Sequence, residues 1–491
     1  MKTLLVNPPW FCLMNRQKRD LHLGLAYVAG ALTAAGSDVQ ILNGEQALAS
    51  HTIDRGAKPP PLLFHATEKY LAYQDPSSPI WRLWAGSILA ESPDVVGLTS
   101  WSAAFFSTVN TCKALKAIRP DVVTVVGGVH ATLDPSAFMD VPEVDFVVRG
   151  EGERAAVALW GLLRDGGDVR RKSTAVRGVW TRLDGRTHDG GTAALIEPLD
   201  DLPFPSYDRL IGRPADAIPG LVTSRGCPFR CGFCASDALW TARVRFRSVD
   251  SCLDELEDYR RRYGLESFRI NDDSFCVRKG RVLEFCDKLV KRFGRGRVSF
   301  WADANADTVD DDMIEALESA GCSTLCLGIE SVAPRIRRQF IRKKVDLDHM
   351  RRLVARINRS RVSAGAYFMT GFPHETEQEL IQTVEFMKDL KAEINEWSVV
   401  TPYPGTELHR YALEHGILPD AGPEHLMHHS LKTSMADIPL RRHEEILREV
   451  LDICEALRIR QAKRRGGEAF YRRWRRRLLH PGKTVARLFR R

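Results

Sequence analysis

The sequence predicts an α/β protein built from two successive strand–helix units. A doubly wound (Rossmann-like) domain is expected at residues 1–165, a connection at 166–217, a partial (β/α)6 barrel at 218–415, and a helical region with a basic tail at 416–491. Three observations carry this reading. Short β-rich runs alternate with helical stretches twice along the chain. Most of the runs are continuously apolar, as strands covered on both faces by helices must be. Between the two alternating stretches lies PLDDLPFPSYDRL, whose three prolines favour an extended linker.

In the first unit the strand candidates are residues 2–6, 39–42, 95–98, 122–126 and 146–148, with helices at 25–35 and 108–118 between them. Residues 57–87 are Pro-containing and aromatic, break the alternation, and read as an insertion or lid. Residues 153–164 suggest a further helix, 176–181 a strand and 184–191 a Gly- and Asp-rich turn. In the second unit the strand candidates are 221–224, 268–270, 298–301, 324–329, 363–368 and 396–400. Six such units form a barrel open at one side, with its chemistry expected at the C-terminal strand ends. Residues 441–457 have apolar positions at helical spacing.

At 491 residues, 44% hydrophobic and 27% charged, the chain is that of a soluble globular protein of about three domains. It has no run of 18 apolar residues to span a membrane. MKTLLVNPPW reads as a first strand, not as a signal peptide. The net charge of +8 suggests a nucleic-acid partner until it is located. Residues 458–491 hold 14 Lys/Arg against one acid, Glu468, so the body is mildly acidic. With no RNA-binding module visible, nucleic acid is not the expected partner. Eleven cysteines and no export signal fit a reduced cytoplasm, where clustered cysteines bind metal or do redox chemistry.

The segment Ser224-Arg-Gly-Cys-Pro-Phe-Arg-Cys-Gly-Phe-Cys-Ala places Cys227, Cys231 and Cys234 at Cys-x3-Cys-x2-Cys spacing directly after a strand. Three thiolates on a short loop can each hold one iron of a [4Fe–4S] cube. The fourth iron is then open, as a reaction at the metal itself requires. The amino and carboxylate groups of S-adenosylmethionine (SAM) can chelate that iron, and an electron from the reduced cluster can break the sulfonium C–S bond. The alternatives are a zinc site or a four-cysteine electron-transfer cluster. Both want a fourth ligand, and none lies nearby in sequence. Phe233 reads either as an adenine-packing aromatic or as a core residue.

At these residues the chain resembles the radical SAM superfamily, and more narrowly its branch with an N-terminal cobalamin-binding domain. The resemblance covers roughly residues 1–415 and rests on separated motifs in order. They are Asn7-Pro8-Pro9, Leu23-Gly24-Leu25-Ala26-Tyr27, Gly127-Gly128-Val129-His130-Ala131-Thr132, Arg149-Gly150-Glu151-Gly152-Glu153, the cysteine loop, Asn271-Asp272-Asp273-Ser274-Phe275, Gly328-Ile329-Glu330-Ser331, Gly371-Phe372-Pro373-His374-Glu375-Thr376 and Thr401-Pro402-Tyr403-Pro404-Gly405-Thr406. The resemblance implies cobalamin contacts at Asn7, Thr99, Gly127, Gly128, His130 and Gly150. Thr99 would be the hydroxyl contact, beside a bulky Trp101. Glycines at strand ends suit a cobalamin tail passing between sheet and helix. A doubly wound domain that uses this sheet for packing alone is the alternative. Asp20-Leu21-His22-Leu23-Gly24 is one residue short of the cobalt-ligating Asp-x-His-x-x-Gly pattern, so His22 is read as a loop residue and not a ligand. His130 is expected on a loop near the corrin or tail.

By the same resemblance Glu330 would bind the amino group or ribose of SAM, and Asp272 and Asp273 would contact SAM or substrate or brace their own loop. His374 stands where the family has Gly; it is an acid–base candidate or a solvent-facing loop histidine. The implied activity is methylation of an unactivated carbon using the cluster, SAM and cobalamin, with cyclisation or rearrangement as the alternative and a cobalamin or redox sensor as a third. Only Cys12 and Cys112 precede the barrel motifs and only Cys454 follows the barrel, so a second cluster is not expected. An external donor of flavodoxin or ferredoxin type would supply electrons. Phe470, Trp474 and Leu478 recur every four residues among arginines in the tail. They read as an interfacial helix that brings the enzyme to a lipid-linked substrate, as a docked helix, or as a disordered end.

Overall fold

The computed structural model describes residues 1–16, 22–54, 70–213, 218–264, 266–343, 346–418 and 431–464. The first sheet is formed by β1 (Lys2–Asn7), β2 (Asp38–Asn43), β3 (Val95–Thr99), β4 (Val123–Gly127), β5 (Phe146–Val148), β6 (Val179–Leu183) and β7 (Arg186–His188), in the order β2-β1-β3-β4-β5-β6-β7. β1 to β5 are parallel, and the order reverses between β1 and β3, the topological switch point of a doubly wound sheet. β6 and β7 add antiparallel strands at the far edge, so residues 179–188 extend the sheet where the sequence suggested a connection.

Side chains alternate across β1. Leu5 enters a core with Leu25, Ala29 and Trp160, whereas Leu4 and Val6 enter a second core with Trp10, Trp84 and Leu98 on the other face. Within the segment read as an insertion or lid, residues 55–69 lie outside the described residues. Its described part is not a lid. The helix Pro79–Leu89 has proline in its first turn, buries Trp81 and Trp84 against the sheet, and makes the crossover from β2 to β3.

The second unit contains β8 (Gly220–Leu221), β9 (Ser224–Arg225), β10 (Arg245–Phe246), β11 (Ser267–Ile270), β12 (Ser299–Ala304), β13 (Cys322–Glu330), β14 (Ser363–Thr370) and β15 (Ile394–Val399). β8, β11, β12, β13, β14 and β15 pair in chain order as a six-stranded parallel sheet. β8 and β15 do not pair with each other among the described residues. Phe268, Phe300, Ala302, Leu325, Leu327, Ala366 and Phe368 point into the core beneath the surrounding helices. The alternate residues Arg269, Asp303, Cys326, Gly328 and Tyr367 therefore face the inside of the curl. The same core takes in Leu5 and Trp160 of the first unit with Leu221 and Leu253 of the second, so the two sheets share one apolar interior.

The helix Leu440–Arg464 closes the C-terminal side and buries His443. His443 Nε2 lies 2.8 Å from Thr370 Oγ1, whose hydroxyl donates to Glu375 Oε2 at 2.8 Å. Burial pushes the imidazole down to about 4, from an ordinary 6.5. The unfolded chain then takes up a proton below 6.5 that the folded chain refuses until about 4, so this residue costs stability as the pH falls through that window. His443→Gln is expected to gain about 2–3 kcal/mol on wild type between pH 7 and pH 4.5. Urea unfolding of both proteins at the two pH values checks this, and an unchanged difference would refute it.

Candidate functional site

The cysteine loop leaves β9 and returns at β10, and these two short strands pair antiparallel at its base. Gly226 opens the loop with φ +99°, and a Cβ there would overlap the carbonyl oxygen of Arg243. Further along, Gly232 N–H donates to Phe340 O at 3.0 Å, and Gly232 O accepts from Leu408 N–H at 2.9 Å. Cys227, Cys231 and Cys234 are partly exposed and free of disulfides. Burial raises all three thiols, Cys231 to about 12, while the charge of Lys343 acts in the opposite sense on each. The N–H of Ser236 points at Cys234 Sγ, 3.4 Å away.

The carboxylate of Asp272 is held by the chain that enters the cysteine loop. It accepts from Thr223 N–H at 2.7 Å, from Thr223 Oγ1 at 2.5 Å and from Ser224 Oγ at 2.7 Å. It braces the chain that leads into the loop. Asp273 accepts from Ser236 Oγ at 3.0 Å and from the N–H of Gly226, tying together both sides of the loop. Burial holds both carboxyls above their ordinary range. Phe233 packs edge-on to Phe372, ring centroids 6.3 Å apart, at the rim of a core cluster with Phe340.

Glu330 ends β13 in a left-handed conformation, φ +70°, at a break in register with β14. It is buried and pairs with Lys343, Nζ to Oε1 2.8 Å. Deeper inside the curl, Asp303 takes Tyr367 OH at 2.9 Å and Arg269 Nη2 at 3.1 Å. Tyr367 also meets Cys326, whose thiol burial pushes up to about 12. Gly365 leaves the space this thiol occupies, since a Cβ there would lie 2.5 Å from the sulfur. His374 is elsewhere. It has φ +54°, and its half-exposed ring lies 3.3 Å from Asp437 while its N–H bonds Met435 O, so its partners belong to the C-terminal segment. A half-exposed ring of this kind is what the solvent-facing reading expects.

At the switch point of the first sheet, Asn7 ends β1 with Nδ2 on Asn43 and its buried Oδ1 without a partner. Thr99 and Gly128 meet across β3 and β4. A Cβ on Gly128 would stand 2.8 Å from Thr99 Oγ1 and from Ser100 O. Gly150, φ +98°, is pressed against Thr192 and Ala193, while Gly127 is loosely packed. His130 is not on a loop. It lies in the short helix Val129–Leu133, with its ring buried between Phe105 and Phe138 and Nδ1 3.0 Å from Ser102 Oγ. His22 caps the helix Leu23–Ala34 and stacks on Trp101.

The sequence did not reveal how the two units join. Glu151, between Gly150 and Gly152, accepts Arg245 in a two-pronged pair at 2.8 and 2.9 Å and Arg225 at 2.7 Å. Glu153 takes the other arm of Arg225, which lies over the ring of Tyr27. A second buried pair, Arg247–Glu255, is bonded to Tyr27 and Tyr259. The motifs around Tyr27, Glu151 and Arg225 thus meet at one place, two residues before the first cysteine.

Family models agree with this arrangement. Residues 221–387 match the Radical SAM superfamily and residues 84–160 the B12 binding domain. An uncharacterized methyltransferase of Pyrococcus horikoshii is 32% identical over 425 residues, covering 85% of this chain and 84% of the relative. The chain belongs to the cobalamin-binding branch of the radical SAM superfamily. Another relative of this radical SAM protein, the anaerobic magnesium-protoporphyrin IX monomethyl ester cyclase of Rubrivivax gelatinosus, is 27% identical over 64% of this chain and 58% of its own length. The solved structure of the methyltransferase TsrM from Kitasatospora setae, with cobalamin and a [4Fe–4S] cluster, shares the fold at a TM-score of 0.64. It is 17% identical, covering 86% of this chain and 76% of that one.

The donors fit the groups that such domains carry. Three thiols share one loop without a fourth. At the switch point, Asn7 offers a buried, unused oxygen. No helix of the described residues is long and apolar enough to cross a membrane.

Proposed function

We propose that this radical SAM protein methylates an unactivated carbon of a small molecule. Three thiols on one clamped loop, opposite Glu330 and above a polar barrel interior, carry the reading. Cys227, Cys231 and Cys234 would hold three irons of a [4Fe–4S] cluster, and Asn7, Thr99, Gly127, Gly128 and Gly150, with the buried His130 beside them in sequence, would form the end of the sheet that takes cobalamin. When bound, the cluster supplies the electron that cleaves SAM and cobalamin supplies a methyl carrier. Asp273 and Ser236 hold the loop in shape, and the Ser236 N–H steadies one sulfur. Glu330 would accept from the amino group of SAM. Asp303, Tyr367 and Arg269 offer a carboxylate, a hydroxyl and a guanidinium to the polar part of a substrate. Electrons would come from a flavodoxin- or ferredoxin-type donor. The basic tail, with Phe470, Trp474 and Leu478, lies outside the described residues. A lipid surface as its partner is tested by vesicle pelleting of a chain ended near residue 465.

The relative named as a cyclase favours a second reading, rearrangement or ring closure without methyl transfer. Anaerobically reconstituted, reduced protein incubated with SAM and candidate substrates separates the two. S-adenosylhomocysteine with 5′-deoxyadenosine supports methylation, and 5′-deoxyadenosine alone supports rearrangement. The Cys227→Ala/Cys231→Ala/Cys234→Ala variant is expected to keep less than about one of the four irons a cubane cluster contains and to form neither product. A wild-type protein whose iron–sulfur EPR signal ignores SAM would overturn both readings.

A further inference from the structure

One carboxylate of the first unit holds both legs of the cysteine loop. Arg225 and Arg245 face each other in the β9–β10 pair at the base of that loop. Arg225 leads into Cys227, and Arg245 lies on the strand by which the chain returns. The Glu151 side chain is 1% exposed and meets both. Its Oε1 accepts from Arg225 Nη1 at 2.7 Å and from Arg245 Nη2 at 2.9 Å, and its Oε2 from Arg245 Nη1 at 2.8 Å. The second arm of Arg225 goes to Glu153. On its other side Glu151 directly follows Gly150, at the sheet edge proposed to take cobalamin. The Gly150 N–H donates to Thr132 Oγ1 at 3.0 Å, and the Thr132 hydroxyl donates to Gly128 O at 2.9 Å. A continuous path of bonds therefore runs from Gly128 at one site to the base of the cysteine loop at the other.

We infer that Glu151 is a positioning residue that couples the two cofactor sites, so that filling either one strengthens binding at the other. The physical link is order. A cluster would fix the spacing of three thiols, and with it the two strands at the base of their loop. Fixed strands present both guanidinium groups where Glu151 meets them, and a held Glu151 fixes the peptide of Gly150. Cobalamin at the sheet edge would order the same bonds from the opposite end. The second cofactor to arrive then finds part of its site already ordered and loses less conformational entropy on binding. Charge keeps the link tight, because Arg245, 2% exposed, would be left desolvated on leaving Glu151. A chain holding the cluster alone would cleave SAM with no methyl carrier in reach, and coupling disfavours that half-filled state. This inference rests on the two cofactors proposed above.

The test is anaerobic equilibrium dialysis of hydroxocobalamin against the full chain, with and without its cluster. Wild type is expected to bind about 10-fold more tightly when loaded with iron, within the usual range of coupling between sites. In Glu151→Gln this ratio is expected to fall below about twofold. Leu289→Ala opens a cavity in the buried face of the helix Lys279–Phe293, outside this network, and is expected to lose stability but keep the ratio. Hydrogen exchange gives a second readout. Cobalamin alone is expected to slow exchange in the peptides that carry Arg225 and Arg245, and the cluster alone to slow it around Glu151. Equal affinity with and without the cluster refutes the inference, and so does a full ratio in Glu151→Gln. Exchange that responds at the filled site alone refutes it too. An equal loss of the ratio in Leu289→Ala also overturns it, since general loosening would then suffice. Should Glu151→Gln not fold, Glu153→Gln takes its place: freeing one arm of Arg225 is expected to cut the ratio to about half or less, and an unchanged ratio overturns the link. Wild type that takes up no iron, or no cobalamin, defeats the cofactor reading itself and is recognised before any ratio is measured.

Discussion

Glu151→Ala will cost about 3–5 kcal/mol of stability, the loss expected when one partner of a buried ion pair is removed and the other is left in place. The stranded partner is Arg245, whose side chain is 2% exposed and whose acceptors among the described residues are Glu151 and Ile196 O. Arg225 keeps Glu153 and so contributes less to the loss. Burial would raise the Glu151 carboxyl, but Arg245 and Arg225 outweigh it and hold it below its ordinary value. The interaction is therefore complete above the ordinary carboxylate range and is lost as pH falls through the depressed value. Urea unfolding at pH 7 measures the loss, with Glu151→Gln expected to lie between wild type and Ala. A shift below about 1 kcal/mol, the scale of an exposed pair, would show that this interface is not desolvated. Because Arg225 lies two residues before Cys227, iron retention should fall with stability.

Gly226→Ala will empty the cysteine loop. At φ +99° an alanine is strained, and its methyl group would occupy the position of Arg243 O, which cannot rotate away as a side-chain tip could. Either the base of the loop opens or Cys227 is displaced, and three thiols no longer fit one cube. Iron bound after reconstitution is expected to fall from about four per chain to less than one. Gly264→Ala is the control. It also has positive φ, but nothing lies within 4 Å of its Cβ, so it should keep its iron and lose about 1 kcal/mol. Normal iron content in Gly226→Ala would mean that the loop is not clamped as described.

What the sequence made legible was local. Apolar runs such as those around Leu4 and Leu325 predicted strands because burial on both faces leaves no other pattern. The spacing of Cys227, Cys231 and Cys234 announced its chemistry because three thiols on one short loop can reach one cluster together. What stayed hidden was set by distance along the chain. Glu151 and Arg225 are 74 residues apart, and neither shows alone that it is buried. Lys343 sits in an Arg-Lys-Lys run that reads as solvated charge, and only the path of the chain after Phe340 puts it beside Glu330. Asp272 was singled out by its motif, yet neighbouring hydroxyls consume its oxygens. One signal was available and unused: polar residues at alternate positions of buried strands, Asp303 and Tyr367 among them, mark the inward side of a curled sheet.

The apolar interior common to both sheets has a consequence for how a reactive group travels. Enzymes that carry an intermediate between two prosthetic groups often swing a tethered arm or a whole module. Here such a swing would tear Tyr27 from Glu255 and Arg225 from Glu151 and wet the packing beneath them. Folding itself thus sets the span between the edge of the first sheet and the mouth of the second, and the traffic across that span is left to the small molecules themselves.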